Sequence, residues 1–367
     1  RGSVSDRTSA AWRITCVIGS LGAGGAERVL TGMANWWVAE GHDVTILTLQ
    51  PPDPFFPLDP RVRVASLSAA SPQAGVVAGI RRVFRLRRAV QECRSDIVLS
   101  FIDVANVHAL VATIGCGIPV IVSERTDPNH HRIGTVWSLL RRVTYPIATR
   151  LIVQSEEVRR AFGYMAERVT VIPNPITAVP SREANTSCYD VDVVAIGRLS
   201  REKGFDLLLH AIATASRPGF PVTATIWGDG PERESLQEQA RSLGVASQVT
   251  FPGRTRVPIA ALRRGRIVVL PSRYEGFPNV LGEAMAAGCA CIAFDSSSGP
   301  RLLIDHGVDG VLVPPEDSDA LAAAISKAIA DPERCERMGA KAAGIVNRYT
   351  MDSVMAQWNA VVMSVQA

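Results

Sequence analysis

Short apolar runs alternate with longer amphipathic stretches along almost the whole chain. The runs are rich in valine and isoleucine, which is typical of strands that are buried on both faces of a parallel sheet. Alternation of such strands with helical stretches predicts an α/β protein with doubly wound parallel sheets. The predicted strands cover residues 14–18, 44–49, 97–101, 120–122, 151–153, 169–172, 191–196, 222–227, 249–251, 265–270, 291–294 and 311–313.

A polar segment rich in prolines and small residues, 177–189, interrupts this series and is predicted to be a linker. The 367 residues exceed an ordinary domain of about 100–200 residues. We therefore assign the strands on either side of the linker to two domains, 1–176 and 190–350. The segment 351–362 has apolar residues spaced for one buried face of a helix.

The formal net charge is +4, with about +6 over residues 1–175 and about −2 over the rest. Such asymmetry can indicate an anionic partner of the first domain, such as an anionic membrane, a phosphorylated acceptor or nucleic acid. Ordinary surface charge explains it equally well. Nucleic acid is the poorer partner, because aromatic residues do not interleave the basic stretch.

The seven cysteines show no Cys-x-x-Cys spacing and no histidine cluster nearby, so they are interpreted as free thiols in a reducing compartment. No apolar run approaches the ~18–20 residues of a membrane-spanning helix, and the first residues lack the apolar region of a signal peptide. These features predict a cytoplasmic protein that can still attach peripherally to a membrane. The sequence Asn185-Thr186-Ser187 is then a chance match to a glycosylation sequon.

Two glutamates, Glu275 and Glu283, flank a short apolar turn between the strand at 265–270 and an alanine-rich helix predicted over 280–287. The N-terminus of a helix attracts anions through its unpaired N–H groups and its dipole. Carboxylates beside it can accept hydrogen bonds from sugar hydroxyls. A phosphate cradle with two such acceptors favours a sugar nucleotide as the ligand.

The first domain also opens with a loop that suits phosphate. Residues 19–28 are rich in glycine and precede a predicted helix, so the backbone can approach a ligand closely. Glu27 occupies the position of the third glycine of a dinucleotide fingerprint, and no acidic residue ends the second strand, so NAD is disfavoured. A tight turn that needs small residues only for packing is the alternative.

In the second domain, Arg198 and Lys203 follow the first strand. They can converge on a diphosphate, the arginine as a bidentate fork and the lysine as a point charge, at the edge where open α/β sheets bind ligands. The alternative is that they are solvated surface charges. The loops 227–232 and 251–254 are further candidates to hold a nucleobase, although the first is equally well explained as a turn.

The chain combines several short motifs: Gly24-Gly25-Ala26-Glu27-Arg28, Gly197-Arg198 with Lys203-Gly204, residues 228–232, the Glu275/Glu283 spacing, residues 298–301 and Asp309-Gly310. Together they resemble the retaining glycosyltransferases of family 4 over nearly the whole chain. The resemblance implies the GT-B fold, in which two Rossmann-like domains face each other across a cleft. It also implies that the C-terminal helix, here 351–367, crosses back to the first domain. One departure is Leu302, which stands where the family often has glutamate.

For the site, the resemblance implies a catalytic set of Arg198 and Lys203, which bind the donor diphosphate, and Glu275, which contacts the donor sugar. Glu283 is implied to hold the ribose hydroxyls, and Arg254 is a weaker candidate for contact with the base. Further donor contacts are implied for Gly25, Phe277, Pro278, Asn279 and Val280.

The chemistry implied by the resemblance is mostly electrostatic, because the cations and the helix N-terminus stabilise the departing diphosphate while the acceptor attacks the same face of the sugar. No Asp-x-Asp metal motif lies in a suitable loop. We therefore expect retaining transfer without a metal and without a cofactor other than the nucleotide sugar, with UDP as the favoured nucleotide.

On the acceptor side, the segment 123–127, preceded by Asp103 and Asn106, resembles a branch that acts on polyprenyl-diphosphate-linked saccharides. Asp103, His108 and Glu124 lie at the predicted sheet edge where an acceptor is expected to enter. His108 is equally well explained as a helix residue whose hydrogen bonds are satisfied.

The segment 76–90 predicts a helix with Ile80 and Phe84 on one side and arginines on another, and the segment 137–145 repeats this pattern. Such faces suit anionic headgroups or the diphosphate of a lipid-linked acceptor. Ordinary amphipathic helices that cover a sheet explain the apolar sides as well. The acceptor-side candidates among the arginines are Arg81, Arg85 and Arg88.

We therefore interpret the chain as a retaining, metal-independent glycosyltransferase at the cytosolic face of the inner membrane. It is expected to move a sugar from a UDP-sugar to a glycan or a polyprenyl-diphosphate-linked saccharide during the assembly of a cell-surface polysaccharide or glycan. The alternatives are a GT-B nucleotide-sugar epimerase or hydrolase, and a non-catalytic nucleotide-sugar-binding protein. The intact set of Arg198, Lys203, Glu275 and Glu283 argues against the last of these.

Overall fold

The structure is a computed structural model that describes residues 11–68, 76–131, 133–179, 189–296 and 299–366. The chain forms two compact units. The first comprises the described residues up to Gln154, Arg159–Ile172 and the end of the chain from Met355, and the second comprises Ser155–Val158 and Pro173–Val354. Most of the predicted linker, together with Cys188 and the sequon at Asn185, lies outside the described residues.

The described part of the first unit contains a seven-stranded parallel sheet in the order β3-β2-β1-β4-β5-β6-β7. Strand β1 (Arg13–Ile18) lies inside the sheet and places Ile14 beside Val44 on one side and Ile97 on the other, and all three are fully or almost fully buried. The strands are β1 (Arg13–Ile18), β2 (Asp43–Thr48), β3 (Arg63–Ser66), β4 (Ile97–Phe101), β5 (Val120–Ser123), β6 (Arg150–Val153) and β7 (Val169–Val171).

Helices follow most of these strands. Buried residues of α1 include Leu30, Met33 and Trp37, which recur at helical spacing on one face. The helices in this half of the chain are α1 (Gly25–Ala39), α2 (Val76–Glu92), α3 (Asp103–Thr113), α4 (Thr135–Thr144) and α5 (Glu156–Ala161).

The second unit is built on a six-stranded parallel sheet, counted over its described residues, in the order β10-β9-β8-β11-β12-β13. Its strands are β8 (Val191–Ile196), β9 (Ala224–Trp227), β10 (Val249–Gly253), β11 (Gly265–Leu270), β12 (Ala290–Phe294) and β13 (Val311–Val313). Its helices are α6 (Phe205–Ala215), α7 (Arg233–Ser242), α8 (Pro258–Leu262), α9 (Asn279–Ala286), α10 (Pro300–Leu303), α11 (Ser318–Ala330) and α12 (Pro332–Ala342).

The last helix, α13 (Met351–Gln366), joins the first unit from Met355 onward. Trp358 is buried there, with its ring stacked 6.0 Å from Phe101 and set edge-on to Trp37 at 6.5 Å between centroids. The Trp37 indole N–H donates to Asn359 Oδ1 at 3.0 Å. This aromatic cluster fixes the end of the chain to the core of the first unit.

The α/β class with two parallel, Rossmann-like sheets is confirmed. The hydrophobic pattern does not predict β3, which is a partly exposed edge strand and lacks an apolar run. On α2, Leu86 and Val90 are buried, whereas Ile80 and Phe84 are exposed. Packing against the sheet therefore does not account for those two apolar residues.

Candidate active site

Most residues expected to bind the donor lie at or after the carboxyl ends of strands in the second unit. Lys203 ends a 3-10 turn after β8, which we call the lysine turn (Arg201–Lys203), and Glu275 lies after β11 in the glutamate loop (residues 271–278). Lys203 Nζ donates a hydrogen bond to Glu275 Oε1 at 2.7 Å, and the side chains are 25% and 11% exposed. Parallel strands place their carboxyl ends at one edge, so the two distant residues meet.

Ser272 is a third member of this cluster, and no sequence motif indicated its role. Its hydroxyl donates to the same oxygen of Glu275 at 2.7 Å, and the residue is almost completely buried. Two donors on one oxygen hold the carboxylate in a defined orientation. Only the position of Ser272 in the same short loop could have indicated this contact.

Two glycines allow the loops at this edge to touch. Gly204 follows the lysine turn with φ +66°, and a Cβ atom there would overlap the carbonyl oxygen of Pro271. Gly228 follows β9 with φ +144°, and a Cβ atom there would overlap the carbonyl oxygen of Gly197. Only glycine tolerates both the conformation and the close approach. Backbone contacts therefore hold the loops after β8, β9 and β11 together.

Helix α9 begins at Asn279, one residue before the predicted start, at the same edge of the sheet. Pro278 precedes it and supplies no side-chain cap. The Phe277 ring is buried and packs edge-on against Tyr349 at 5.8 Å, so it can contact a ligand only through its backbone. Glu283, 6% exposed, lies inside the helix. The first turn of α9 thus offers N–H donors and a favourable dipole close to the glutamate loop.

The two other predicted donor cations are at the same edge. Arg198 follows Gly197, the first residue after β8, and Arg254 directly follows β10. Both arginines are exposed. The N–H of Gly228 donates to the carbonyl oxygen of Gly253 at 2.8 Å, which joins the ends of β9 and β10. The roles of Arg198 and Arg254 in binding stay predictions.

A buried carboxyl group lies at the end of β5 in the first unit. Glu124 is fully buried, and it accepts hydrogen bonds from the Thr126 hydroxyl at 3.0 Å and the Tyr145 hydroxyl at 2.9 Å. Burial, together with the charge of Asp103, raises the pKa of Glu124 to about 7, against the opposing effects of Arg141 and the two hydroxyls. Glu124 is therefore part acid and part carboxylate near neutral pH.

Asp103, the first residue of α3, belongs to the same cluster. Its Oδ1 accepts a hydrogen bond from the Val104 N–H at 2.6 Å, and its Oδ2 lies 3.6 Å from His131 Nε2. Arg141 Nη1 lies 3.7 Å from the Glu124 carboxyl. The structure thus brings together the two predicted acidic residues and adds His131 and Arg141, which no sequence motif indicated.

His108 lies one turn further along α3. Its Nδ1 is 2.7 Å from the carbonyl oxygen of Val104, and its ring centroid is 5.4 Å from that of Trp137 in α4. Burial, helped by the charge of Arg82, lowers the pKa of this imidazole against the effect of the Val104 carbonyl. These contacts fit a packed helix residue, and its role toward an acceptor stays a prediction.

The glycine-rich loop of the first unit leads into α1, which begins at Gly25. The Glu27 carboxyl folds back over Gly24, where a Cβ atom would overlap it, and accepts a hydrogen bond from Ser20 Oγ at 3.2 Å. Burial raises the pKa of Glu27. The overlapping atoms are the far end of the flexible Glu27 side chain, which can move aside, so packing alone does not require glycine at position 24. The contact of Gly25 with a diphosphate stays a prediction.

Helices α2 and α4 both pack against α3 and carry exposed apolar side chains beside arginines. On α4, Val136, Leu139 and Val143 are between 63% and 67% exposed. None of the helices in the described ranges is both long enough and apolar enough to cross a membrane. We define the amphipathic surface as Ile80, Phe84, Val136, Leu139 and Val143 together with Arg81, Arg85, Arg88 and Arg142.

Comparison with known proteins gives a consistent result. The family described as "Glycosyl transferase 4-like domain" matches residues 24–175, and the family described as "Glycosyl transferases group 1" matches residues 187–344. A Campylobacter jejuni enzyme is 31% identical over 315 residues, which are 84% of this chain and 87% of that protein. It is named GalNAc-alpha-(1->4)-GalNAc-alpha-(1->3)-diNAcBac-PP-undecaprenol alpha-1,4-N-acetyl-D-galactosaminyltransferase.

Solved structures show the same fold. Anabaena HepE in complex with UDP and glucose is 22% identical, with a TM-score of 0.79 over 96% of this chain and 99% of its own. Sucrose-phosphate synthase from Thermosynechococcus elongatus is 19% identical, with a TM-score of 0.80 over 96% of this chain and 98% of its own. The GT-B fold expected from the sequence is confirmed.

The fold and these matches define the protein as a glycosyltransferase. Within this class, the chain belongs to the group 1 transferases of glycosyltransferase family 4.

Proposed function

We propose that the protein transfers a sugar from a UDP-sugar to a glycan or a polyprenyl-diphosphate-linked saccharide, with retention of configuration and without a metal. The observation that carries this proposal is the contact of Lys203 with Glu275 beside the start of α9. It joins a cation for the diphosphate, a carboxylate for sugar hydroxyls and helix N–H groups for phosphate at one sheet edge.

For the donor, Arg198 and Lys203 stabilise the departing diphosphate, and Glu275 orients the sugar through its hydroxyls. Buried Glu283 holds the ribose. The UDP and glucose bound to Anabaena HepE support a uridine nucleotide as the first donor to test. No step requires a metal, because arginine, lysine and the helix dipole supply the positive charge.

For the acceptor, the cluster of Asp103, Glu124 and Arg141 in the first unit supports a saccharide as the ligand. Carboxyl groups accept hydrogen bonds from hydroxyl groups, whereas two acidic side chains repel a diphosphate. We therefore assign acceptor sugar hydroxyls to Asp103 and Arg141, whose side chains keep 5% and 12% exposure, with buried Glu124 behind them. The diphosphate is assigned to the exposed arginines of α2, among them Arg81 and Arg85. The named acceptor of the Campylobacter enzyme, a saccharide on PP-undecaprenol, supports this class.

The amphipathic surface supports attachment to an anionic membrane at its cytosolic face. Its apolar side chains are too exposed to contribute to the hydrophobic core. Its arginines suit anionic headgroups, and each basic residue contributes about 1 kcal/mol to binding at an anionic membrane. Such attachment brings the protein to lipid-linked saccharides during cell-surface polysaccharide or glycan assembly. An amylovoran biosynthesis glycosyltransferase of Erwinia amylovora, 23% identical over 353 residues, supports this kind of pathway.

The test is a turnover screen of the purified chain with UDP-, GDP- and ADP-sugars, with EDTA present and with polyprenyl-diphosphate saccharides as acceptors. We expect transfer from a UDP-sugar, with the anomeric configuration of the product retained by NMR. Glu275→Ala is expected to abolish transfer, whereas Glu238→Ala, an exposed glutamate on α7, is expected to leave it unchanged. Conversion of the nucleotide sugar without an acceptor would instead support an epimerase or hydrolase.

A further inference from the structure

Arg273 lies two residues before Glu275 and joins the glutamate loop to other segments of the second unit. Its Nη1 and Nη2 atoms donate to the two carboxylate oxygens of Asp206 at 2.8 and 2.6 Å. Its Nε donates to Glu316 Oε2 at 2.9 Å, and Nη1 also donates to the carbonyl oxygen of Arg201 at 2.7 Å. The side chain is only 15% exposed.

These contacts lie on both sides of Lys203. Arg201 is the first residue of the lysine turn, and Asp206 lies in the first turn of α6 immediately after it. The Arg273 backbone N–H also donates to the carbonyl oxygen of Glu202 at 2.8 Å. One residue of the glutamate loop thus holds the chain within the lysine turn and directly after it.

The bidentate contact between Arg273 and Asp206 favours a fixed geometry. A bidentate arginine–carboxylate pair sets both the distance and the angle between two segments, which a lysine cannot do. Burial acts against an ionised Asp206, yet the hydrogen bonds from Arg273 lower the pKa of Asp206 below its ordinary value. Glu316 has a φ of +58°, a left-handed conformation that surrounding contacts must hold, and Arg273 provides one of them.

We propose that Arg273 is a positioning residue for sugar transfer, which holds the lysine turn against the glutamate loop so that Lys203 and Glu275 keep the geometry that the donor requires. This inference rests on the donor role proposed above for that pair. The guanidinium acts without touching the donor, because its hydrogen bonds go to Asp206, Glu316 and the backbone. Without it, the Lys203–Glu275 hydrogen bond and the close backbone approach of Gly204 to Pro271 remain between the two loops, but the bidentate pair that fixes their angle is lost.

A double-mutant cycle tests this role. The wild type, Arg273→Ala, Lys203→Ala and the double variant are compared by kcat and KM for the UDP-sugar that the wild type uses. Arg273→Ala is expected to lower kcat/KM by about 10- to 100-fold, since small misplacements of reacting groups have effects of that size. In the Lys203→Ala background it is expected to lower kcat/KM by less than about 3-fold, because the Lys203–Glu275 pair that it positions is already broken. Equal losses in both backgrounds would overturn the proposal.

Two milder variants keep the test decisive if Arg273→Ala does not fold. Glu316→Gln removes the charge of one exposed partner of Arg273. Arg273→Lys keeps the positive charge but cannot make the bidentate contact with Asp206. Each is expected to lower kcat/KM by about 3- to 10-fold with an unchanged urea midpoint. Unchanged kcat/KM in both would contradict the positioning role.

Arg264→Ala is the matched control. It removes an exposed arginine whose ion pair with Asp190 lies at the amino ends of β8 and β11, the opposite edge of the sheet. Its kcat/KM is expected to equal that of the wild type, and a loss similar to that of Arg273→Ala would overturn the specific role of Arg273.

Binding and transfer by the wild type distinguish a failure of this inference from a failure of the proposed function. A wild-type chain that binds no nucleotide sugar and transfers none would overturn both. A wild-type chain that transfers sugar, with Arg273 variants that transfer it equally well, would overturn the positioning role alone.

Discussion

The hydroxyl of Tyr145 donates a 2.9 Å hydrogen bond to the carboxyl of Glu124, 21 residues earlier in the chain. The same hydroxyl accepts a 3.0 Å hydrogen bond from Asn106 Nδ2 in α3. All three side chains are fully buried, so the network ends on an ionisable group that water does not reach. Because burial and Asp103 disfavour the carboxylate, ionisation of Glu124 reduces the stability of the folded protein.

The stability of the protein is expected to fall as pH rises through the range set by Glu124. Its pKa is about 7 in the folded state against an ordinary 4.5, so between these values the folded state binds more protons than the unfolded state. The free energy of unfolding therefore decreases from about pH 4.5 to pH 7, by an amount on the order of 3 kcal/mol. Urea unfolding at several pH values, followed by tryptophan fluorescence, measures this slope.

Glu124→Gln is expected to remove that contribution, because an amide keeps an acceptor for Tyr145 but does not ionise in this range. The matched control is Glu238→Gln, an exposed glutamate on α7, which is expected to leave the slope unchanged. Identical slopes for the wild type and Glu124→Gln would show that Glu124 ionises normally.

Gly204→Ala is expected to destabilise the second unit more than Gly244→Ala. Both glycines have φ near +70°, so each alanine has a similar backbone cost of about 1 kcal/mol. A Cβ atom at Gly204 would in addition overlap the carbonyl oxygen of Pro271, whereas Gly244 has open space around it. We expect a further loss of about 2 kcal/mol for Gly204→Ala in urea unfolding. Equal losses would mean that the loops do not need this close approach.

The strands of both sheets could be predicted because most of them are buried on both faces and therefore read as continuous apolar runs. The edge strand β3 could not, since its residues alternate between exposed and partly buried positions without such a run. Helix α9 was predicted to within one residue, because alanine-rich sequence follows a proline.

In the candidate site, too, some residues could be predicted from the sequence and others could not. Lys203 and Glu275 could be selected from sequence because each follows a predicted strand, and the topology of a parallel sheet then brings them together. Ser272 and Arg273 could not, since their importance depends on the folding of the glutamate loop onto the lysine turn. Arg141 likewise lies in an amphipathic helix whose pattern does not reveal the buried carboxyl beside it.

Lys203→Met is expected to weaken the binding of UDP by about 10- to 100-fold, because a charged hydrogen bond to the diphosphate is lost while the aliphatic stem is kept. Isothermal titration calorimetry measures the affinity. Lys327→Met, on the exposed side of α11, is the control and is expected to bind UDP like the wild type. Equal affinities for Lys203→Met and the wild type would exclude Lys203 from the diphosphate site.

Phe84→Ser and Leu139→Ser are expected to release the protein from anionic lipid vesicles, because each removes an exposed apolar side chain of the amphipathic surface. Flotation with phosphatidylglycerol vesicles measures binding, which is expected to weaken several-fold in each variant and to fall with added salt as the arginines are screened. Phe220→Ser removes a phenylalanine of the second unit that is 79% exposed, and it is expected to bind like the wild type. Equal binding to vesicles of neutral lipid would contradict the role of the arginines, whereas loss in Phe220→Ser would show that exposed apolar area alone drives attachment.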